Sequence, residues 1–169
     1  MTTRFTIPLA GLALAAICLT ASAAARRPAG QWAYFHFDGR SFSAGQPEKG
    51  TPFVAVRDGV LPQVLTRSVD SEAVQLPSGS GAVAGICYVS ASGGKLKPGP
   101  GYLPVSGLQV RISSGGKVLA TVLSDDHGYF VAELPAGSYR VSARESVEVK
   151  VEQGNTTLVP LRVGKRMVD

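Results

Sequence analysis

Apolar and polar positions alternate with a period of two over most of the second half of the chain. Leu108, Val110 and Ile112 alternate with Gln109, Arg111 and Ser113; Tyr139, Val141 and Ala143 with Arg140 and Ser142; Val147, Val149 and Val151 with Glu148, Lys150 and Glu152. Each run predicts a strand with one face on a core and the other in water. Ala82 to Val89, Lys117 to Leu123, Tyr129 to Leu134 and Thr156 to Val163 complete a set of about seven short strands, and no amphipathic helix interrupts them. Turn residues mark the reversals: Gly115-Gly116, Asp125 to Gly128, Pro135-Ala136-Gly137 and Gly154-Asn155, with a Gly/Pro/Lys loop from Ser90 to Gly101.

The first half is patterned more loosely. Gln31 to Phe37 is the most aromatic segment, and a strand there puts Trp32, Tyr34 and His36 on one face and Ala33, Phe35 and Phe37 on the other. Asp38-Gly39 reads as a turn, Pro52 to Arg57 as a second strand closed by Asp58-Gly59, with weaker strands around Gln63 to Val69 and Glu72 to Leu76. Pro77 to Gly81 is a small, polar sequence of linker type. The expected division is therefore a leader at 1–23, a hairpin-rich β segment at 24–76, a linker at 77–81, an antiparallel β-sandwich at 82–163 and a tail at 164–169. The fold class is all-β.

Residues 1–23 carry the marks of a secretory signal peptide. Met1 to Arg4 is a short basic start, Phe5 to Thr20 is apolar, and Ala21-Ser22-Ala23 is a small-x-small cleavage site, with Ala25 as the alternative. Cys18 follows Ile17, where a lipobox requires Gly or Ala, and Arg26-Arg27 follows the apolar run, whereas a twin-arginine signal precedes it. General secretion into the periplasm or beyond is the expectation, with no stable membrane span after cleavage.

Charge and cysteine narrow the field of functions. The 17 Lys and Arg against 12 Asp and Glu give +5 over 169 residues, and the basic residues are dispersed rather than clustered as a nucleic-acid footprint would be. The basic run from Arg162 to Arg166 reads as a solvated tail. Beyond the leader only Cys87 remains, so no intrachain disulfide is expected; it reads as a buried small hydrophobe.

Metallocarboxypeptidase chemistry needs His and Glu ligands around zinc, yet only His36 and His127 occur, without HxxE or HExxH spacing. Ser124-Asp125-Asp126-His127 contains the letters of a triad, but neighbours in one turn cannot place His between nucleophile and acid. Asp125 and Asp126 lack a surrounding calcium loop. No catalytic residue, metal or cofactor is expected. Binding potential lies with aromatic rings that could stack on sugars: Trp32, Tyr34 and, in the Gly/Pro loop, Tyr102.

Four phrases carry a family resemblance: Gly81-Ala82-Val83-Ala84-Gly85, Gly107-Leu108-Gln109-Val110-Arg111-Ile112, Thr121 to Phe130 ending in Asp-Asp-His-Gly-Tyr-Phe, and Leu134-Pro135-Ala136-Gly137-Ser138-Tyr139-Arg140-Val141. Over about half the chain, Gly81 to Val163, the sequence resembles the carboxypeptidase regulatory-like domain. The resemblance implies a transthyretin-like (prealbumin-like) sandwich, grouped with carbohydrate-binding-like folds, of the kind that accompanies enzymes or occurs in surface and periplasmic proteins. No catalytic domain accompanies it in this sequence. The expected role is a non-enzymatic structural or protein-interaction module of the bacterial cell envelope. The alternatives are a carbohydrate-binding module and a fimbrial or adhesin-type subunit. The expected partner is thus an envelope protein or an extracellular glycan, and not nucleic acid.

Overall fold

A computed structural model describes residues 30–66, 72–92 and 101–167. The expected leader with Cys18 and Arg26-Arg27, the centre of the Gly/Pro/Lys loop and the last two residues lie outside them. The described chain is all-β. Its strands are β1 (Ala33–Phe37), β2 (Phe42–Ala44), β3 (Phe53–Val56), β4 (Gln63–Leu65), β5 (Ser80–Ser92), β6 (Tyr102–Pro104), β7 (Gln109–Ser114), β8 (Lys117–Leu123), β9 (Tyr129–Pro135), β10 (Gly137–Ser142), β11 (Ser146–Val151) and β12 (Thr156–Met167).

They form three sheets. The N-terminal sheet has the order β2-β1-β3-β4 and the outer sheet β11-β10-β7-β8. In the middle sheet β5 pairs with β12 along one side and with β9 and then β6 along the other.

β5 explains the layering. Residues 81–88, Gly-Ala-Val-Ala-Gly-Ile-Cys-Tyr, are all buried, as expected of a strand covered on both faces, and the segment lacks the polar alternation of the outer strands. Its two rows of side chains enter different cores. Val83 and Cys87 join Phe130, Ala132, Leu134, Val159 and Leu161 of the middle sheet against Val110, Ile112, Tyr139, Val141, Val149 and Val151 of the outer sheet. Ala84, Ile86 and Tyr88 join Tyr129 against Phe35, Phe37, Val54 and Val56 of the N-terminal sheet. Each fully buried Val, Ile, Leu or Phe contributes about 1.5–3 kcal/mol of apolar transfer.

Gly85 fits this crowded position because it has no side chain. A Cβ there would overlap the Phe130 ring and the Val159 carbonyl.

The turn from Ser124 to Arg140 folds as its sequence predicts. Asp125 Oδ1 accepts the backbone N–H groups of His127 at 2.9 Å and Tyr129 at 2.8 Å, and Gly128 takes φ +80°, which suits a residue without Cβ. Phe130, Ala132 and Leu134 then point into the core at 6% exposure or less. After the Pro135–Gly137 reversal the Tyr139 hydroxyl donates back to the Pro135 carbonyl at 2.7 Å.

Four expectations change. The sandwich was expected to be antiparallel throughout, but β12 runs parallel to β5, from Thr156 opposite Ala82 to Met167 opposite Ser92. After β11 the chain crosses to the middle sheet instead of turning back in its own; alternation shows which face a residue takes and says nothing of strand direction.

Residues 77–81 are not a free linker. Ser80 and Gly81 open β5, the Gly79 carbonyl accepts Ala136 N–H at 2.9 Å and the Ser80 carbonyl accepts Gly154 N–H at 2.8 Å. The expected tail continues β12 to Met167, with Val163 buried and Arg162 paired to Glu145 at 3.3 Å. Finally, β2 is a short strand in a stretch for which the sequence suggested no element, and β6 is a short strand at the end of the Gly/Pro loop. Of the weak strand at Glu72 to Leu76, one isolated bridge remains, Gln75 to Val60.

Candidate functional site

Alternation along β1 places the aromatic residues as expected. Phe35 and Phe37 face the middle sheet, and Tyr34 and His36 face outward. On that outer face Phe53 is fully buried. Tyr34 meets its ring edge-on at 5.6 Å and 86°, and His36 lies tilted over it at 5.7 Å. The His36 ring is fixed in turn by Nε2, 2.8 Å from the Gln46 carbonyl. Tyr34 and His36 therefore cover a buried phenylalanine.

Trp32 is half-buried, and the Arg57 guanidinium lies 6.0 Å from its ring centroid, within the range of a cation–π contact.

Tyr102 lies elsewhere. Its ring packs edge-on against Phe37 at 4.8 Å and sits 6.3 Å from Tyr88. Phe37 and Tyr34 are three residues apart on one strand and face opposite ways. Trp32 and Tyr34 thus lie on the outer face of the N-terminal sheet, and Tyr102 belongs to an aromatic cluster between that sheet and the middle one. The structure does not bring the three rings to one surface.

That cluster, Phe37, Phe42, Tyr88, Tyr102 and Tyr129, has ring centroids 4.6–6.3 Å apart. Burial raises all three tyrosine hydroxyls above the usual phenol range, Tyr129 furthest, because a phenolate there would lose its hydration. Asp38, in the β1–β2 turn, shifts the other way. Its carboxylate accepts the backbone N–H groups of Ser41 and Arg40, which lowers its pKa.

The triad-like letters are occupied structurally. Ser124 is buried; its hydroxyl donates to the Val105 carbonyl at 2.8 Å and accepts Leu108 N–H at 2.9 Å. Asp125 closes its own turn. His127 is exposed. Among the described residues no three His, Cys, Asp or Glu side chains converge as a metal site. Cys87 is fully buried, and desolvation pushes its thiol up to about 12. An open cleft at the tip of the β7–β8 hairpin, about 370 Å³, includes Arg140, whose charge is already matched by Glu148 at 2.7 Å.

Sequence reasoning missed one surface. Val118, Leu119 and Leu123 of β8 are 50%, 52% and 66% exposed on a strand at the edge of the outer sheet. The signal was present: Lys117 to Leu123 holds no charge after its first residue and lacks the alternation of the neighbouring strands.

The sequence matches no family model and no curated protein. Among solved structures it is similar to GBS52, the minor pilin of the gram-positive pathogen Streptococcus agalactiae, with 13% identity over 76% of this chain and a TM-score of 0.39. The match spans 66% of that pilin chain, just under two thirds of its length.

Proposed function

We propose that this protein is a non-enzymatic, exported interaction module, a rigid β scaffold of the cell envelope that presents its surfaces to a protein partner. The observation that carries this reading is β5. With both faces buried, it ties the N-terminal sheet and the sandwich into one body, and the polar side chains that resemble catalytic groups hold turns within that body. The turn-strand-turn phrase from Ser124 to Arg140 supports reading residues 81–163 as a carboxypeptidase regulatory-like sandwich.

The test is twofold. Residues 1–25 fused to a reporter should direct it out of the cytoplasm, and the purified protein should leave peptide and ester substrates intact with or without added zinc. Retention of the reporter, or zinc-dependent cleavage, would overturn the reading.

A carbohydrate-binding role is the second reading, favoured by the partly exposed Trp32 ring with Arg57 beside it. Stacking of a sugar on Trp32 predicts glycan-array binding that disappears in Trp32→Ala while the far-ultraviolet circular dichroism is unchanged. An empty array for the parent protein would exclude it.

A further inference from the structure

Arg57 and Arg162 are both half-buried, yet their charges are met differently. Arg162 holds Glu145 at 3.3 Å. The Arg57 side chain has no carboxylate or hydrogen-bond acceptor among the described residues; its guanidinium lies beside the Trp32 ring, 6.0 Å from the centroid. A guanidinium partly withdrawn from water keeps a planar fork of N–H donors, and two of them in parallel match a carboxylate. At 6.0 Å it also stands well beyond the separation of touching atoms, about 3.5–4.0 Å. It flanks the Trp32 ring without sealing it.

The β1–β3 ladder puts these groups on one surface. Ala33 pairs with Val56 and Tyr34 with Ala55, so one step further along the same register Trp32 stands opposite Arg57. Tyr34 follows Trp32 on the same face of β1, about 7 Å along the strand. Its ring rests on Phe53, and its hydroxyl has no hydrogen-bond partner among the described residues.

We propose that this face of the N-terminal sheet binds an acidic glycan, with a carboxylated sugar ring lying on Trp32 and its carboxylate on the Arg57 guanidinium. The inference rests on the carbohydrate reading above and names its ligand class. Trp32 offers a flat apolar face to the ring C–H groups, Arg57 fixes charge and orientation, and the Tyr34 hydroxyl is free to bond the next sugar along β1. A neutral sugar would leave the Arg57 donors unmatched in the contact, which lowers affinity. An acidic peptide fits less well. β2 and β4, at the two edges of this sheet, have three residues each, so an extended chain finds little strand to pair with, and main-chain pairing is what holds such peptides.

An array of matched glycans tests the proposal, each uronate oligosaccharide printed beside its carboxyl-reduced, neutral counterpart, with polyglutamate as an acidic peptide. The expected result is binding to uronates about tenfold or more above the neutral forms, weakening as salt is raised and absent on polyglutamate. Arg57→Gln should remove the preference for the acid and Trp32→Ala should remove binding altogether, both with the melting temperature of the parent protein. The failures are distinguishable. A silent array for the parent protein sinks the carbohydrate reading and this inference with it. Equal binding of acidic and neutral forms by the parent protein, or a preference that survives in Arg57→Gln, overturns the acidic ligand and leaves the carbohydrate reading standing. Polyglutamate bound as tightly as the uronates makes the face a site for acidic peptides and overturns the proposal as well.

Discussion

Gly85 and Gly128 show how single positions fix this fold. At Gly85 a methyl group would meet the Phe130 ring and the Val159 carbonyl, and neither the aromatic core nor the β5–β12 ladder can yield without loss. Gly85→Ala should destabilise by about 3 kcal/mol, read from the midpoint of urea unfolding. Gly128 combines φ +80° with a Cβ position 2.7 Å from the Cys87 carbonyl. Gly128→Ala should cost at least about 1–2 kcal/mol from the left-handed backbone alone. Asp125→Ala removes the acceptor of two backbone N–H groups and should cost about 1–2 kcal/mol, whereas Asp126→Ala, for which no such hydrogen bond is seen, should be near neutral. The roles of Asp125 and Gly128 are readable in sequence because they are local. That of Gly85 is not, since Phe130 and Val159 reach it only through strand pairing.

Among the elements, β5 has the widest consequences. It belongs to both cores, so the N-terminal sheet should not unfold separately from the sandwich. Trp32 is the sole tryptophan and reports on the N-terminal sheet, while far-ultraviolet circular dichroism reports on all strands. Their thermal transitions should coincide, and an earlier fluorescence transition would show that the two parts unfold independently. Ile86→Ala, which opens space between the N-terminal and middle sheets, should cost about 2–5 kcal/mol and shift both signals together. Most strands were legible from alternation or, for β5, from a continuous apolar run. β2 and β6 were not, because three residues are too few to show a period.

For the molecule as a whole, the buried tyrosines and Cys87 set the alkaline limit. The Tyr88, Tyr102 and Tyr129 hydroxyls are raised above 10.0 and the Cys87 thiol above 9.0 by burial. The folded state therefore holds these protons more tightly than the unfolded chain. This contribution is complete below about pH 9 and is lost as pH rises past 9 for the thiol and past 10 for the phenols. Unfolding in base should coincide with the rise of phenolate absorbance, and Tyr129→Phe should move the transition to higher pH. Asp38 has the opposite sign. Its lowered pKa adds stability above its ordinary value of 3.8 that is lost as pH falls through the folded value, a minor effect at an exposed turn.

The sequence by itself determined the all-β class, the positions of most strands and turns, the two faces of β1 and the burial of Cys87, because each depends on residues near one another in the chain. It also placed the turn at Asp125 to Gly128. Only the tertiary structure decided that β12 runs parallel to β5, that Ser80 and Gly81 open a shared core strand, that Tyr102 is separated from Trp32 and Tyr34, and that β8, without a charge after Lys117, is left as an edge. Strand direction, layer order and edge position follow from which distant segments pair, and a period-two pattern is the same for either direction and for an edge or a centre.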